Sequence, residues 1–395
     1  MKPILILFCF CFLLACTNKN ADTNNVDPFY VGELKFEQQP LLLSEFVDSI
    51  EFISLEFNEN CMLREDEIKK VVCHKDHIFI IESQHSQCVY HFDKNGNFVN
   101  QIGRHGKGPD ETVKLKDFSL DEENEIIYLL DDGKQKIMGY NFDGKMVADI
   151  KISQFASDFE YQRGLFYIFC ESVFGTTDNY KLKIRDKKGE LLKCFFPVER
   201  DYSIGFSNKT FTKTNKGLYF INIFEYNIYY IENKDMERQY TFDFGTWAFT
   251  KEEVDDILNA KIRIFDLLIN KERLSTMNNL QVWGKWIYFT KIRQRLQYSF
   301  LYNTETKALK YGQLFDDIEH TFSCDRFLGQ TGNMWTGIFN PESISGRLNY
   351  YHTLVDDKKI SPEKEKELTD RLNAHLRGDY ITEMNPWLVF YHIKD

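Results

Sequence analysis

The chain is notable first for what it lacks. Proline is scarce, at 8 of 395 residues, as expected where many strands need their backbone N–H groups for ladder bonds. None of the nine cysteines forms a Cys-x-x-Cys pair, so neither the dithiol redox motif nor the paired-cysteine zinc site is signalled. No Gly-x-Ser-x-Gly elbow, His-Glu-x-x-His helix or Gly-Lys-Ser/Thr phosphate loop occurs, which removes the hydrolase, zincin and P-loop signatures. Positive charge is neither in excess nor clustered: 49 Lys and Arg stand against 60 Asp and Glu, a net charge of −11. That balance argues against nucleic-acid binding and against electrostatic docking on anionic lipid. No catalytic motif, cofactor or metal is implied.

Long apolar runs are also missing, with one exception. Ile4–Ala15 is a run of twelve residues after the basic Lys2. It is shorter than the roughly 20 residues a spanning helix needs and has the length of a signal-peptide core. Leu13-Leu14-Ala15-Cys16 resembles the bacterial lipobox. That resemblance implies removal of residues 1–15 and diacylation of Cys16, and two acyl chains suffice for stable anchoring. Residues 16–40, polar and Asn-rich from Thr17 to Asp27, read as a flexible tether.

What the chain has in quantity is aromatic: 35 Phe and 21 Tyr, residues that suit pleated, half-buried surfaces. These fall into a repeat of three strands with a polar turn before the second and a Gly or Asn turn before the third. The copies are His77–Glu82, Cys88–Asp93 and Phe98–Gly103; Ile126–Asp131, Ile137–Phe142 and Met146–Ile152; Leu165–Glu171, Tyr180–Arg185 and Leu191–Val198; Leu218–Phe224, Ile228–Ile231 and Arg238–Phe244; and Trp286–Ile292, Tyr298–Tyr302 and Ala308–Leu314. Turn positions 96, 144, 189 and 234 differ by 48, 45 and 45 residues. Hairpin turns of Asn-Gly and Asp-Gly type at such a period predict propeller blades.

The interval from 234 to 305 is 71 residues, longer by about one helix. Thr250-Lys251-Glu252-Glu253 fits a capping box, and apolar residues follow at helical spacing, so about 250–280 is a helical insertion. A sixth unit, including Asn333–Phe339, is split by a helix over about 361–377, with Ser361 as N-cap and Gly378 closing it. Trp387–Ile393 then ends the chain, leaving this blade one outer strand short. Val47–Leu55 alternates well and has no other home, so it is expected to complete the last blade. The predicted fold is therefore all-β: a six-bladed β-propeller over 41–395 with two helical insertions on one face, and a tether leaving beside the ring's closure.

Val47-Asp48-Ser49-Ile50 with Leu55, the Gly103–Glu111 segment, the Phe-Asp-x-x-Gly turns and Asn385-Pro386-Trp387-Leu388-Val389 together resemble the six-bladed β-propeller lipoproteins of Bacteroides-type bacteria. Within the Gly103-x-x-Gly106-x-Gly108-Pro109 loop only Glu111 of the usual Gly-Glu-Tyr continuation is kept; Asp110 and Thr112 replace its neighbours. The resemblance implies an outer-membrane lipoprotein, on the periplasmic or cell-surface side, and brings no established activity with it.

Candidate sites are few. The Gly103–Glu111 loop reads either as a tight interblade turn or as a ligand loop displaying Arg104, His105, Lys107 and Glu111. His74, His77, His85, His91 and His105 crowd 32 residues, but His74 and His77, three apart along one strand, should face opposite sides. Cys61, Cys73, Cys88, Cys170, Cys194 and Cys324 remain after the signal segment; an exported chain permits disulfides, yet several sit in apolar strand runs as small core residues. Blade topology puts the loop and both insertions on one face, because outer-to-inner (D-to-A) connections and B-to-C connections share it. The leading expectation is a lipid-anchored envelope propeller that binds a partner protein, glycan or other small ligand at a helix-capped mouth. The alternative is a cell-envelope enzyme directed at glycans or peptides at that same mouth.

Overall fold

We describe a computed structural model over residues 27–32, 34–35, 40–82, 88–170, 179–198, 209–320, 326–341, 344–374 and 384–395. The signal segment, Cys16, His85, Cys324 and Gly378 lie outside these residues. Among those described, no helix is long and apolar enough to cross a membrane.

Six sheets form the ring, each an antiparallel set of four strands, and one of them gains a fifth, parallel strand at its outer edge. In blade 1 the strands run from A, innermost, to D, outermost: Ile68–His74, His77–Glu82, Val89–Asp93 and Phe98–Ile102. Blades 2 to 5 repeat the order, and the A strands of neighbouring blades lie side by side about the axis. The three strands of each sequence repeat are B, C and D. The A strands escaped that reading: Leu115–Asp121, Asp158–Gln162, Phe211–Lys213, Asn278–Trp283 and Gly329–Thr331, along with Ile68–His74, are short or rich in charged or amide side chains.

Ring closure follows the prediction. Val47–Ser54 pairs antiparallel with Trp387–Ile393 as the outer strand of blade 6. Its buried residues Val47, Ile50, Phe52 and Ser54 face inward at nearly regular alternation. Its partner Trp387–Ile393 carries Trp387, one of the largest fully buried side chains, packed against Phe52 and Phe339. Blade 1 then docks on Val47–Ser54 through its hairpin. Gly96, at φ +79°, has Ser54 O where a Cβ would stand, 2.2 Å away, so the turn requires glycine for space as well as for conformation.

The exit of the tether is a correction. Phe29–Tyr30, inside the segment expected to be free, pairs parallel with the outer strand of blade 4, Asp235–Asp243. Leu41–Leu42 next pairs with Leu314–Phe315 after blade 5, and only then does the chain reach blade 6. The sequence offers no repeat at 29–30, because two residues cannot show a period. The N-terminal segment thus leaves the ring two blades from its closure point.

Both insertions are helical and on the same face. Lys251–Leu258 (α1) and Ile264–Asn270 (α2) follow strand D of blade 4. The capping box is real: Glu253 N donates to Thr250 Oγ1 at 3.2 Å and Thr250 N to Glu253 Oε2 at 3.0 Å. Between strands B and C of blade 6 lie Ile344–Asp356 (α3) and Pro362–Ala374 (α4). Only α4 was anticipated. The α3 stretch holds Gly346 and five aromatic or β-branched residues, Ile344, Tyr350, Tyr351, Thr353 and Val355, all weaker helix formers than Ala or Leu; burial of Tyr351 and Leu354 against blade 6 holds it.

Candidate functional site: the axial channel

The ring encloses two cavities on its axis, one opening on each face. The cavity on the insertion-bearing face is ≈700 Å3 and is lined by the first residues of the A strands, including Lys69, Lys70, Asp117 and Asp158. The cavity on the opposite face is ≈690 Å3 and is lined by the A-strand ends and their turns, including His74, Asp121, Glu122 and Lys213. They share Lys70, Glu160, Lys209, Phe211 and Leu328, which mark the waist between them. No residue of α1–α4 lines either cavity. The helices pack on the rim instead, α1 and α2 through Ile257, Leu267 and Leu268, α3 and α4 through Tyr351, Leu354, Leu368 and Leu372.

The waist is ionic. Its residues come from equivalent positions of successive A strands, where charged or polar side chains alternate with apolar ones: Asp117-Phe118-Ser119-Leu120 in blade 2 and Asp158-Phe159-Glu160-Tyr161 in blade 3. The polar set turns to the axis and to the neighbouring blade's backbone. Lys70 Nζ lies 2.6 Å from Glu160 Oε1 and 3.5 Å from Asp117 Oδ1, and donates to Phe118 O at 2.8 Å. Ser119 Oγ donates to Glu160 Oε2 at 2.5 Å and accepts from Tyr161 N. Asp117 accepts from Phe159 N, and Asp158 from Thr210 N and Oγ1. Side chains of one blade thereby bond the next, so the cluster staples blades 1 to 4 while it lines the channel.

Asp117 and Asp158 lie together in the buried cluster, close enough for each to act on the other's charge. Burial would raise the Asp117 carboxyl, but Lys70 and Lys69 hold it below the usual carboxylate range. Burial, then the adjacent Asp117, push Asp158 far above that range. A second negative charge beside the first is disfavoured, so Asp158 is the carboxyl held toward its protonated form. Burial opposes the charge on Lys70 as well; Asp117 and Glu160 overcome that and keep it cationic. Lys209 differs: burial, with Lys70 next, brings its amine down to about 8.

The Gly103–Glu111 loop is built around Glu111, whose carboxylate accepts from Gly108 N and from Arg104, each at 2.8 Å. A Cβ on Gly106 would stand 1.9 Å from Glu111 Oε2. Lys134 Nζ holds the loop from blade 2 through Gly108 O at 2.6 Å and Glu111 O. The hydrogen bond from Gly108 lowers the Glu111 carboxyl, with Arg104 adding to it. Arg104, His105 and Lys107 are exposed, and none of the four residues lines either cavity. The loop therefore brings them to the surface of the insertion-bearing face, apart from the channel.

His74 and His77 do not lie on one strand. They are cross-strand partners at the mouth of a tight hairpin, which corrects the opposite-face expectation. His77 Nδ1 meets His91 Nε2 at 2.8 Å, and His91 in turn meets Asn100. Among the described residues no three His, Cys, Asp or Glu side chains gather as metal ligands. The described cysteines, Cys61, Cys73, Cys88, Cys170 and Cys194, are free thiols.

Sequence reasoning missed Lys69, Lys70, Asp117, Asp158, Glu160 and Lys209. The signal was present in the matched alternation of 117–121 and 158–162, but no repeat of the B–C–D type leads to it.

The comparisons agree with the ring. The chain is similar to an exported protein of Bacteroides fragilis NCTC 9343, at 16% identity and a TM-score of 0.70, covering 88% of this chain and 95% of that one. It is also similar to a DUF4221-family protein of Bacteroides vulgatus, at 10% identity and a TM-score of 0.51, covering 87% and 98%. At these identities the likeness concerns the fold. No curated protein matches. One family model, described as a domain of unknown function, matches residues 31–392, nearly the whole ring and its N-terminal strap, and the chain belongs to that family, DUF4934.

Proposed function

We propose that this protein is a lipid-anchored component of the outer membrane whose axial channel binds a small polar ligand. The observation that carries the ligand reading is the waist: charged side chains from four blades converge between two cavities of ≈700 and ≈690 Å3 that share five lining residues. That volume suits a small ligand, and perturbed, buried titratable groups mark functional clefts more often than inert ones. Anchoring rests on the Leu13-Leu14-Ala15-Cys16 lipobox. A surface role for Arg104, His105 and Lys107 at the neighbouring loop, toward an envelope protein or glycan, belongs to the same reading as a secondary contact.

Native mass spectrometry of the purified protein tests the channel. Asn215 and Gln297 line opposite mouths; the double variant Asn215→Trp/Gln297→Trp should lose a co-purifying small molecule that the parent retains. Retention by the plugged variant would remove the channel from the account. Cys16→Ala should move the folded protein from the membrane to the soluble fraction; continued membrane association would place the anchor elsewhere.

A second reading, an envelope enzyme acting on glycans or peptides, is favoured by one feature: Asp117 and Asp158 meet at the cavity lining with their carboxyls pushed in opposite directions, the pattern of an acid beside a base. Turnover abolished by Asp158→Asn with ligand binding intact would support it.

A further inference from the structure

We infer that the ligand carries one anionic group, a carboxylate or a phosphate, and that Lys209 is its partner. This rests on the channel reading above and adds the chemistry of what the channel takes.

The argument is a charge count at the waist. Three amines, Lys69, Lys70 and Lys209, meet three carboxyls, Asp117, Asp158 and Glu160. Asp117 and Asp158 are buried together, and burial with the Asp117 charge disfavours a second negative charge on Asp158. Three cations therefore face two anions, and the cluster keeps one uncompensated positive charge. Partners show which amine carries it. Lys70 is taken by Glu160, Asp117 and Phe118 O. Lys69 is taken by Lys116 O at 2.6 Å, with Asp117 at 4.0 Å. Lys209 bonds Asn278 only through its backbone N–H. Its Nζ has no hydrogen-bond or ion-pair partner among the described residues.

Position completes the case. Lys209 borders both cavities, so a ligand entering from either face meets it. Glu160, the other charged group there besides Lys70, already accepts from Lys70 and Ser119. A cationic ligand would add to the surplus charge. A neutral one would leave the Lys209 amine unpaired in a partly desolvated place, which is costly. A single anionic group supplies the missing partner and restores neutrality.

The test is calorimetric titration of the purified protein with three probes: glucuronate, inorganic phosphate and glucose. At least one anion should bind, and more tightly than glucose. Charge-assisted hydrogen bonds are strong enough that Lys209→Gln should weaken that anion by about tenfold or more, while Lys209→Arg stays close to the parent. Binding of glucuronate alone would assign a carboxylate and of phosphate alone a phosphate. Failure of both anions to bind, or equal anion binding by Lys209→Gln, overturns the inference. The plugged variant Asn215→Trp/Gln297→Trp separates the two levels. If it abolishes anion binding that Lys209→Gln leaves intact, the channel stands and Lys209 falls. If it leaves anion binding intact, the channel reading itself fails.

Discussion

Replacing Asn385 with Ala should destabilise the ring far more than the loss of a small polar side chain suggests. Asn385 is buried just before the closing strand. Its Oδ1 accepts from Leu63 N at 2.7 Å, and its Nδ2 donates to Glu56 O at 2.6 Å and Cys61 O at 2.5 Å. One side chain thus satisfies three backbone groups of the loop that joins the closure strand of blade 6 to blade 1. Each hydrogen bond contributes about 1 kcal/mol net, and buried groups left unpaired cost more. Asn385→Ala is therefore expected to cost about 3 kcal/mol. Asn385→Asp should cost at least as much, because its carboxylate would face the carbonyls of Glu56 and Cys61. Urea unfolding followed by tryptophan fluorescence, with unchanged slope, reads the difference. A loss under about 1 kcal/mol for Asn385→Ala, or an Asn385→Asp variant as stable as the parent, would refute the reasoning.

Other outcomes follow from the same structure. Lys70→Met removes the main partner of two buried carboxylates and should cost about 3–5 kcal/mol by urea unfolding; a neutral result would show that water reaches the waist freely. Gly96→Ala and Gly164→Ala both place alanine at positive φ, at +79° and +84°, but a Cβ meets Ser54 O at 2.2 Å in the first and nothing closer than 3.8 Å in the second. The first should melt markedly lower than the second, and equal melting points would contradict the close blade contact. Burial pushes the Glu319 carboxyl up to about 7, against Arg371 2.6 Å away, which lowers it. The folded state then holds a proton that the unfolded chain releases, so this residue costs stability as pH rises from about 4.5 through 7. Glu319→Gln should flatten the decline of the urea midpoint between pH 5 and 8; an unchanged decline would assign it to other groups.

Much of the ring was legible because its outer three strands obey simple rules. Phe92, Ile102 and their equivalents alternate or run apolar, Gly96 and Gly189 mark turns, and the spacing repeats. Val47–Ser54 was assignable by its regular pattern together with the vacant outer place in blade 6. The A strands were not, for the reason that makes them the site. Lys70, Asp117, Asp158 and Glu160 face an axis where charge is matched by charge, so their strands show no apolar pattern on that side. Their partners sit 41 to 90 residues away in sequence, as in Ser119 with Glu160 and Lys70 with Glu160, and no local pattern reports such a meeting. The local signal lies instead in the Gly103–Glu111 loop, whose glycines and charges stand together in the sequence. There Glu111 serves the loop's own turn, and glycine at 106 makes room for it.

The most direct measurement is a crystal structure of the protein with its co-purified or titrated ligand. The account predicts electron density on the propeller axis, with an anionic group within hydrogen-bond distance of Lys209 Nζ. Ligand density at the Gly103–Glu111 loop or on the helical rim, with an unoccupied axis, would contradict it.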